Sequence, residues 1–288
     1  MTATENSDRI HHMTETPFTG HCRRNHDLVR RMHTFAAEKV LPAITQLQQD
    51  ATRPNRKLDA TVCEAYARMV AWMGSLVKLG GTGDVQAICA GARCLFELLL
   101  DLKWLAVNQE PVWLEKFDSF PRVHRYHSAE KAAEYKNKNP GSQICERDFR
   151  AIMDKLDQPE PVGDLVARLW GKDSRTGKPR WPRHWTGENN TLDVAGKLGT
   201  EFTDLHRQCY SPLSWVVHSG PAAFHGRDFA GVEQLVATGY LSASEFLFAG
   251  TGTACTALGI AGTIPDFEPG MNDLSSRLDE AQRTMPPP

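Results

Sequence analysis

The chain has 288 residues, 41% of them hydrophobic, and a net charge of −2, with a pI near 6.6. That is enough apolar material for a substantial core, and the near-neutral balance gives no global support for tight nucleic-acid binding. The N-terminal stretch lacks the apolar heart of a signal peptide, and seven cysteines without a C-x-x-C pair read as reduced packing residues of a cytoplasmic protein.

Residues 1–20 read as a disordered leader. From Asn25 to Gln49, Leu28, Met32, Phe35, Val40, Leu41, Ile44 and Leu47 recur at helical period, with Pro42 placed to kink the helix. Leu58–Leu79 repeats the pattern and stops at Gly80-Gly81. Asp84–Val107 is a third helix and Pro111–Tyr135 a fourth, with Pro121 as a bend. Gln143–Leu156 and Asp164–Trp170 are shorter. Lys172–Asn190 is a loop rich in Pro, Gly and Trp. Leu192–Cys209, Pro212–His218 and Gly231–Gly262 complete the helices. Hardly any segment alternates with period two. The expected fold is therefore all-α, a multi-helix bundle with a long irregular Trp/Pro-rich loop. Residues 21–265 are expected to form a single domain and 266–288 a mostly flexible tail. Phe246–Pro265 is uncharged over 20 residues, long enough to span a bilayer. Its four Gly and four Thr favour a buried, close-packing helix, and no membrane role is expected.

The third helix is apolar on most sides, yet Arg93 and Glu97 stand in its middle, four residues apart. Two unpaired charges inside a bundle are very costly, so the two are expected to pair. One reading is an internal ion pair that orients helices. The other is a guanidinium fixed by Glu97 and turned to a pocket, where its planar fork suits carboxylate or phosphate.

Tyr210, Ser214 and His218 also fall four apart, on one face of a helix. They read either as a polar seam, with Ser214 bonded to the backbone four residues back, or as a site with His218 as general acid or base and Tyr210 and Ser214 holding substrate. Pro212 suits the first turn of a helix capped by Ser211, which leaves Tyr210 just outside. His218 precedes Ser219-Gly220-Pro221, a helix-stop signal. In the loop, Trp181 and Trp185 interleave with Arg180, Arg183 and His184. They either stack bases or pin the loop to the bundle. Arg175–Arg183 is the best candidate stretch for a local basic pocket. No G-x-S-x-G elbow, H-E-x-x-H or P-loop pattern occurs, so neither a metal nor a cofactor is expected.

Three pieces, ARCLFELLLDLKWL, HWTGENNTLDVAGKLG and YSPLSWVVHSGPAAF, stand in this order. The set resembles a widespread bacterial all-helical family of unknown function, across roughly residues 55–260. The resemblance implies an R-x-x-x-E helix, a W-x-G segment entering a helix and a Y-x-x-x-S-x-x-x-H segment. These fall on Arg93, Glu97, Trp185, Gly187, Tyr210, Ser214 and His218, and carry no established activity. A more distant likeness is to the HEPN group of helical ribonucleases, which cut RNA without metal through an Arg and a His. Arg122 and His127 meet that group's spacing; His218 does not.

Two functions are carried forward. In one, a buried pocket of Arg93, Glu97, Tyr210, Ser214 and His218, with Trp185 at the substrate, cleaves RNA without metal in a defence or toxin-like role. In the other, the same pocket is a non-catalytic module for an anionic small molecule or a protein partner. The partners expected are RNA or an anionic ligand, with a second copy of the chain as a further candidate. A purely structural seam is the third reading.

Overall fold

A computed structural model of the protein describes residues 20–50, 52–143, 146–219 and 229–285. Among these the chain is all-α: helices joined by turns, with a single isolated antiparallel bridge between Lys172 and Pro179. Two compact units emerge. One runs to Val107 and resumes at Leu198; the other spans Asn108–Lys197. The leader, Cys145 and the stop signal at Gly220-Pro221 lie outside the described residues.

The first unit contains α1 (Gly20–Phe35), α2 (Leu41–Gln48), α3 (Arg56–Leu76), α4 (Val85–Val107), α9 (Thr200–Leu205), α10 (Ser211–Ser219), α11 (Phe229–Leu258) and α12 (Phe267–Thr284). α11 is its axis and packs on α4, α1 and α3. Glycines permit the close approach. A Cβ at Gly239 would lie 2.8 Å from Ile88 Cγ2, one at Gly250 2.6 Å from Met69 Cε, and one at Gly91 of α4 2.7 Å from Leu76 Cδ2. Two tyrosine hydroxyls buried here are paired: Tyr66 Oη and Thr251 Oγ1 lie 2.9 Å apart, and Tyr240 Oη donates to the Leu79 carbonyl at 2.8 Å. The uncharged stretch that begins at Phe246 thus serves a packed core, and no helix of the described residues is long and apolar enough to cross a membrane. Where composition suggested a tail, α12 buries Phe267, Leu274, Leu278 and Ala281, a helical spacing, and packs on α1.

Two helical runs of this unit that contain an inner proline solve it in the same way. Pro42 and Pro212 lack an N–H, and their rings crowd the carbonyl four residues back. Immediately before each lies one π turn, Ala36–Val40 and His206–Tyr210. The Leu41 N–H reaches the Ala36 carbonyl and the Ser211 N–H reaches the His206 carbonyl, five residues back. The wider turn lets the chain stay helical through the proline. The expected fresh start capped by Ser211 is therefore not what forms. Ser211 has helical φ −62 and ψ −46, and Tyr210 lies within the run.

The second unit holds α5 (Pro111–Lys138), α6 (Glu146–Leu156), α7 (Val162–Trp170) and α8 (Thr191–Leu198), the last ending at the unit boundary. α5 continues through Pro121 and packs on α6 and α7. Val123, Val162, Leu165, Val166 and Leu169 form the core, flanked by Tyr126, Leu156, Trp170 and Trp181. Between α7 and α8 runs the long irregular loop anticipated from its Trp and Pro content.

Candidate functional site

α4 carries a stripe that meets water. Gln86, Ala90, Arg93, Glu97 and Asp101 are spaced four, three, four and four residues apart, and all are exposed or half-buried, while Ile88, Ala92, Leu95, Phe96, Leu99 and Leu102 are buried. Arg93 Nε donates to Glu97 Oε1 at 3.1 Å, with the side chains 24% and 39% exposed. The expected pairing is made, but the expected burial is not. Arg93 and Glu97 belong to the hydrated stripe of a helix whose other faces are apolar, so the cluster is a surface site and not a buried pocket.

The segment α9–π turn–α10 supplies the other half. Tyr210, 7% exposed, donates its hydroxyl to Glu97 Oε1 at 2.8 Å and accepts from Arg93 Nε at 3.1 Å. Its ring packs on Phe96 and His206, with centroids 5.2 and 4.7 Å away, and lies 5.3 Å from the Arg93 guanidinium carbon. α10 packs against α4, and His218 Nε2 comes within 2.6 Å of Arg93 Nη1. Four residues of α-helix overshoot a full turn by about 40°. The row Tyr210, Ser214, His218 therefore drifts from core to surface: buried, half-buried, exposed. Ser214, which the polar-seam reading would bond to the backbone four residues back, has no hydrogen-bond partner among the described residues.

The charges interlock. Burial pulls the Arg93 pKa down, but Tyr210 and Glu97 outweigh it and the net shift is upward. A guanidinium has no lone pair to offer. The contact at His218 Nε2 therefore runs from Arg93 N–H to an unprotonated ring nitrogen, with the imidazole proton on Nδ1. Glu97 and Tyr210 hold Arg93 through Nε, and its terminal nitrogens face outward with His218. Phe96 and His206, the aromatic bed of Tyr210, were not singled out in sequence. The available signals were Phe96 beside Glu97 and His206 four residues before Tyr210.

Trp185 belongs to the second unit and is 4% exposed. Its ring meets Phe117 edge-on at 5.0 Å, and its carbonyl accepts from Trp170 Nε1 at 2.8 Å. Gly187 sits at φ 92, in the region that favours glycine, and a Cβ there would crowd Trp170 Cδ1 at 3.3 Å. Trp181 stacks between Tyr126 and His127, at 6.0 and 4.6 Å. These contacts favour the loop-pinning reading of both indoles. Arg122 donates to the Leu156 carbonyl at 2.6 Å and to the Glu160 carbonyl, whereas His127 pairs with Glu130 at 3.1 Å. The pair with ribonuclease-like spacing is thus engaged in separate contacts. Among the described residues no group of three or more His, Cys, Asp or Glu is arranged to hold a metal.

The described residues are all-helical, and α4, the π turn and α10 bring Arg93, Glu97, Tyr210 and His218 together. The chain belongs to the DUF5677 family of unknown function, which it matches over residues 59–233. That span contains Arg93, Glu97, Trp185, Tyr210, Ser214 and His218. No curated protein and no solved structure matches the chain.

Proposed function

We propose that the Arg93–Glu97–Tyr210–His218 cluster cleaves RNA without a metal ion. The observation that carries this reading is the contact of Arg93 Nη1 with His218 Nε2: an unprotonated imidazole nitrogen beside a fixed cation. When Arg93 turns its terminal nitrogens to a phosphate, Nε2 is released to act as base. It takes the proton of a ribose 2′-hydroxyl. The 2′ oxygen forms a bond to phosphorus and the bond from phosphorus to the 5′ oxygen breaks. Water protonates the departing oxygen, and the hydroxide so formed takes the proton back from the His218 imidazolium, leaving a 2′,3′-cyclic phosphate, a 5′-hydroxyl and neutral His218. Arg93 offsets the charge that develops on the phosphoryl oxygens, and Glu97 with Tyr210 keeps the guanidinium aimed. A defence or toxin-like role is consistent with such chemistry by analogy alone.

The second reading is a non-catalytic site for an anionic small molecule or a protein carboxylate. The two-point anchoring of Arg93 Nε favours it, since a held guanidinium is suited to recognition whether or not a reaction follows. Incubating the purified protein with labelled RNA in a chelator separates the two. Cleavage that His218→Ala abolishes supports the ribonuclease. RNA left intact by the wild type under all conditions leaves the binding module.

A further inference from the structure

The cations that follow α7 have no share in the cluster on α4. Between positions 172 and 183 fall Lys172, Arg175, Lys178, Arg180 and Arg183, against one carboxylate, Asp173, in a chain whose net charge is −2. All five are exposed, and none forms an ion pair with a described residue. Some surface cations of the same unit are in ion pairs instead: Arg168 pairs with Glu115 and Glu160, and Lys131 with Glu134.

The backbone beneath these cations is tied into a small hairpin. Asp173 N–H donates to the Lys178 carbonyl at 2.8 Å, Gly177 N–H to the Asp173 carbonyl at 2.9 Å, and Arg180 N–H to the Gly171 carbonyl at 3.0 Å. The Asp173 carboxylate accepts from the backbone of Arg175 and Thr176 and from the Thr176 hydroxyl. The Thr176 bonds, the leading cause, hold Asp173 below the usual carboxylate range. The one acid of the segment is thus consumed in shaping the turn. The aromatic rings of the segment point the other way, with Trp185 buried and Trp181 stacked on His127.

We infer that this hairpin docks the phosphate backbone of RNA, and that it does so without reading sequence. Exposed cations without an ion-pair partner among the described residues, carried on a hydrogen-bonded hairpin, are the chemistry that releases counterions from a polyanion. With both indole faces turned inward, the base-stacking half of single-strand recognition is missing. Binding is therefore electrostatic and sequence-tolerant. The inference rests on RNA as the substrate of the proposed site, and it assigns docking to residues that take no part in the cleavage step.

The test is fluorescence anisotropy of a labelled single-stranded RNA with the full chain, titrated across potassium chloride from about 50 to 200 mM. The expected log–log salt slope approaches about −3.5 if all five cations engage a single strand. Changing Lys172, Arg175, Lys178, Arg180 and Arg183 to Gln lowers affinity tenfold or more and flattens the slope, with an unaltered circular dichroism spectrum. A control that removes the same charge from exposed Arg30, Arg31, Lys39, Lys138 and Arg277 changes affinity less than threefold. Equal losses in the two variants, or a hairpin variant that binds like wild type, overturn the proposal. A wild type that ignores RNA but binds polyglutamate also overturns it, in favour of an acidic protein. A chain that binds through the hairpin yet never cleaves removes the catalytic reading and keeps this one.

Discussion

Arg93 Nη1 and His218 Nε2 stand 2.6 Å apart on helices separated by more than a hundred residues of chain, and the guanidinium can only donate. The contact is therefore one in which Arg93 N–H donates to His218 Nε2. His218 is exposed, so its removal touches little packing. His218→Ala is expected to abolish RNA cleavage while changing stability by no more than about 0.5 kcal/mol. The wild-type activity is expected to persist in chelator. Gel analysis of end-labelled RNA and a thermal melt check both halves, and activity retained by His218→Ala defeats the assignment.

Arg93 and Glu97 are expected to be cheap to lose in stability and costly in function. Both lie on the hydrated stripe of α4, and partly exposed pairs contribute about 0.2–1 kcal/mol. Arg93→Met should therefore lower stability by about 1 kcal/mol. Breaking a buried pair would cost about 3–5 kcal/mol. Arg93→Lys keeps the charge but cannot hold Glu97, Tyr210 and His218 at once, so activity should still fall by about 100-fold. Urea midpoints and initial rates decide the matter. A loss in the buried-pair range makes the pair structural.

Tyr210→Phe isolates the anchor. The ring keeps its packing on Phe96 and His206, while Arg93 Nε and Glu97 Oε1 each lose one partner. The expected cost is about 0.5–1.5 kcal/mol. Activity should drop by about tenfold rather than vanish, because Glu97 still holds Arg93 Nε. A rate equal to wild type would show that Tyr210 does not aim the guanidinium.

Much of this arrangement was legible in the sequence, and the exceptions have physical causes. The helix through Arg93 was expected from Asp84 and forms from Val85, because strong apolar periodicity survives without tertiary information. The exposure of its stripe is hidden in the sequence. Ala90 and Cys94 are small and apolar, and they disguise the line that Gln86, Arg93, Glu97 and Asp101 trace. The meeting of Arg93 with His218 follows from α10 packing on α4, a long-range fact that no local pattern encodes. The π turn before Pro212 is a similar case. Proline signals a disturbance of the ladder, but whether the chain breaks or widens depends on what the following helix packs against.

Gly239→Ala tests the close approach of α11 to α4. In an isolated helix alanine is better than glycine by about 0.5–1 kcal/mol. Here the new methyl would sit 2.8 Å from Ile88 Cγ2, on a β-branched side chain with little freedom to turn. Overpacking should win, for a net loss of about 1–3 kcal/mol in urea denaturation. A stabilised variant would show that the two helices separate more readily than their packing implies.

His184 should make stability fall in mild acid. Burial pushes its pKa down to about 4, and the Thr186 backbone N–H donates to Nδ1 at 3.3 Å, so the native ring is neutral with its proton on Nε2. In the unfolded chain the imidazole titrates near 6.5. Between those values the unfolded state holds more protons than the native state, so stability rises with pH and is lost as pH falls from about 6.5 toward about 4. At pH 4.5 the loss from this one group is about 2–3 kcal/mol. His184→Gln removes the titration, though it also disturbs the Thr186 contacts and lowers stability at pH 7. The informative quantity is therefore the difference in pH dependence, since other titrating groups contribute alike to both proteins. Urea denaturation followed by tryptophan fluorescence, with Trp181 and Trp185 in the same loop, should show the wild type losing about 2–3 kcal/mol more than the variant between pH 7 and 4.5. Parallel pH profiles would mean that the imidazole is solvated in the native state and that the loop does not hold it dry.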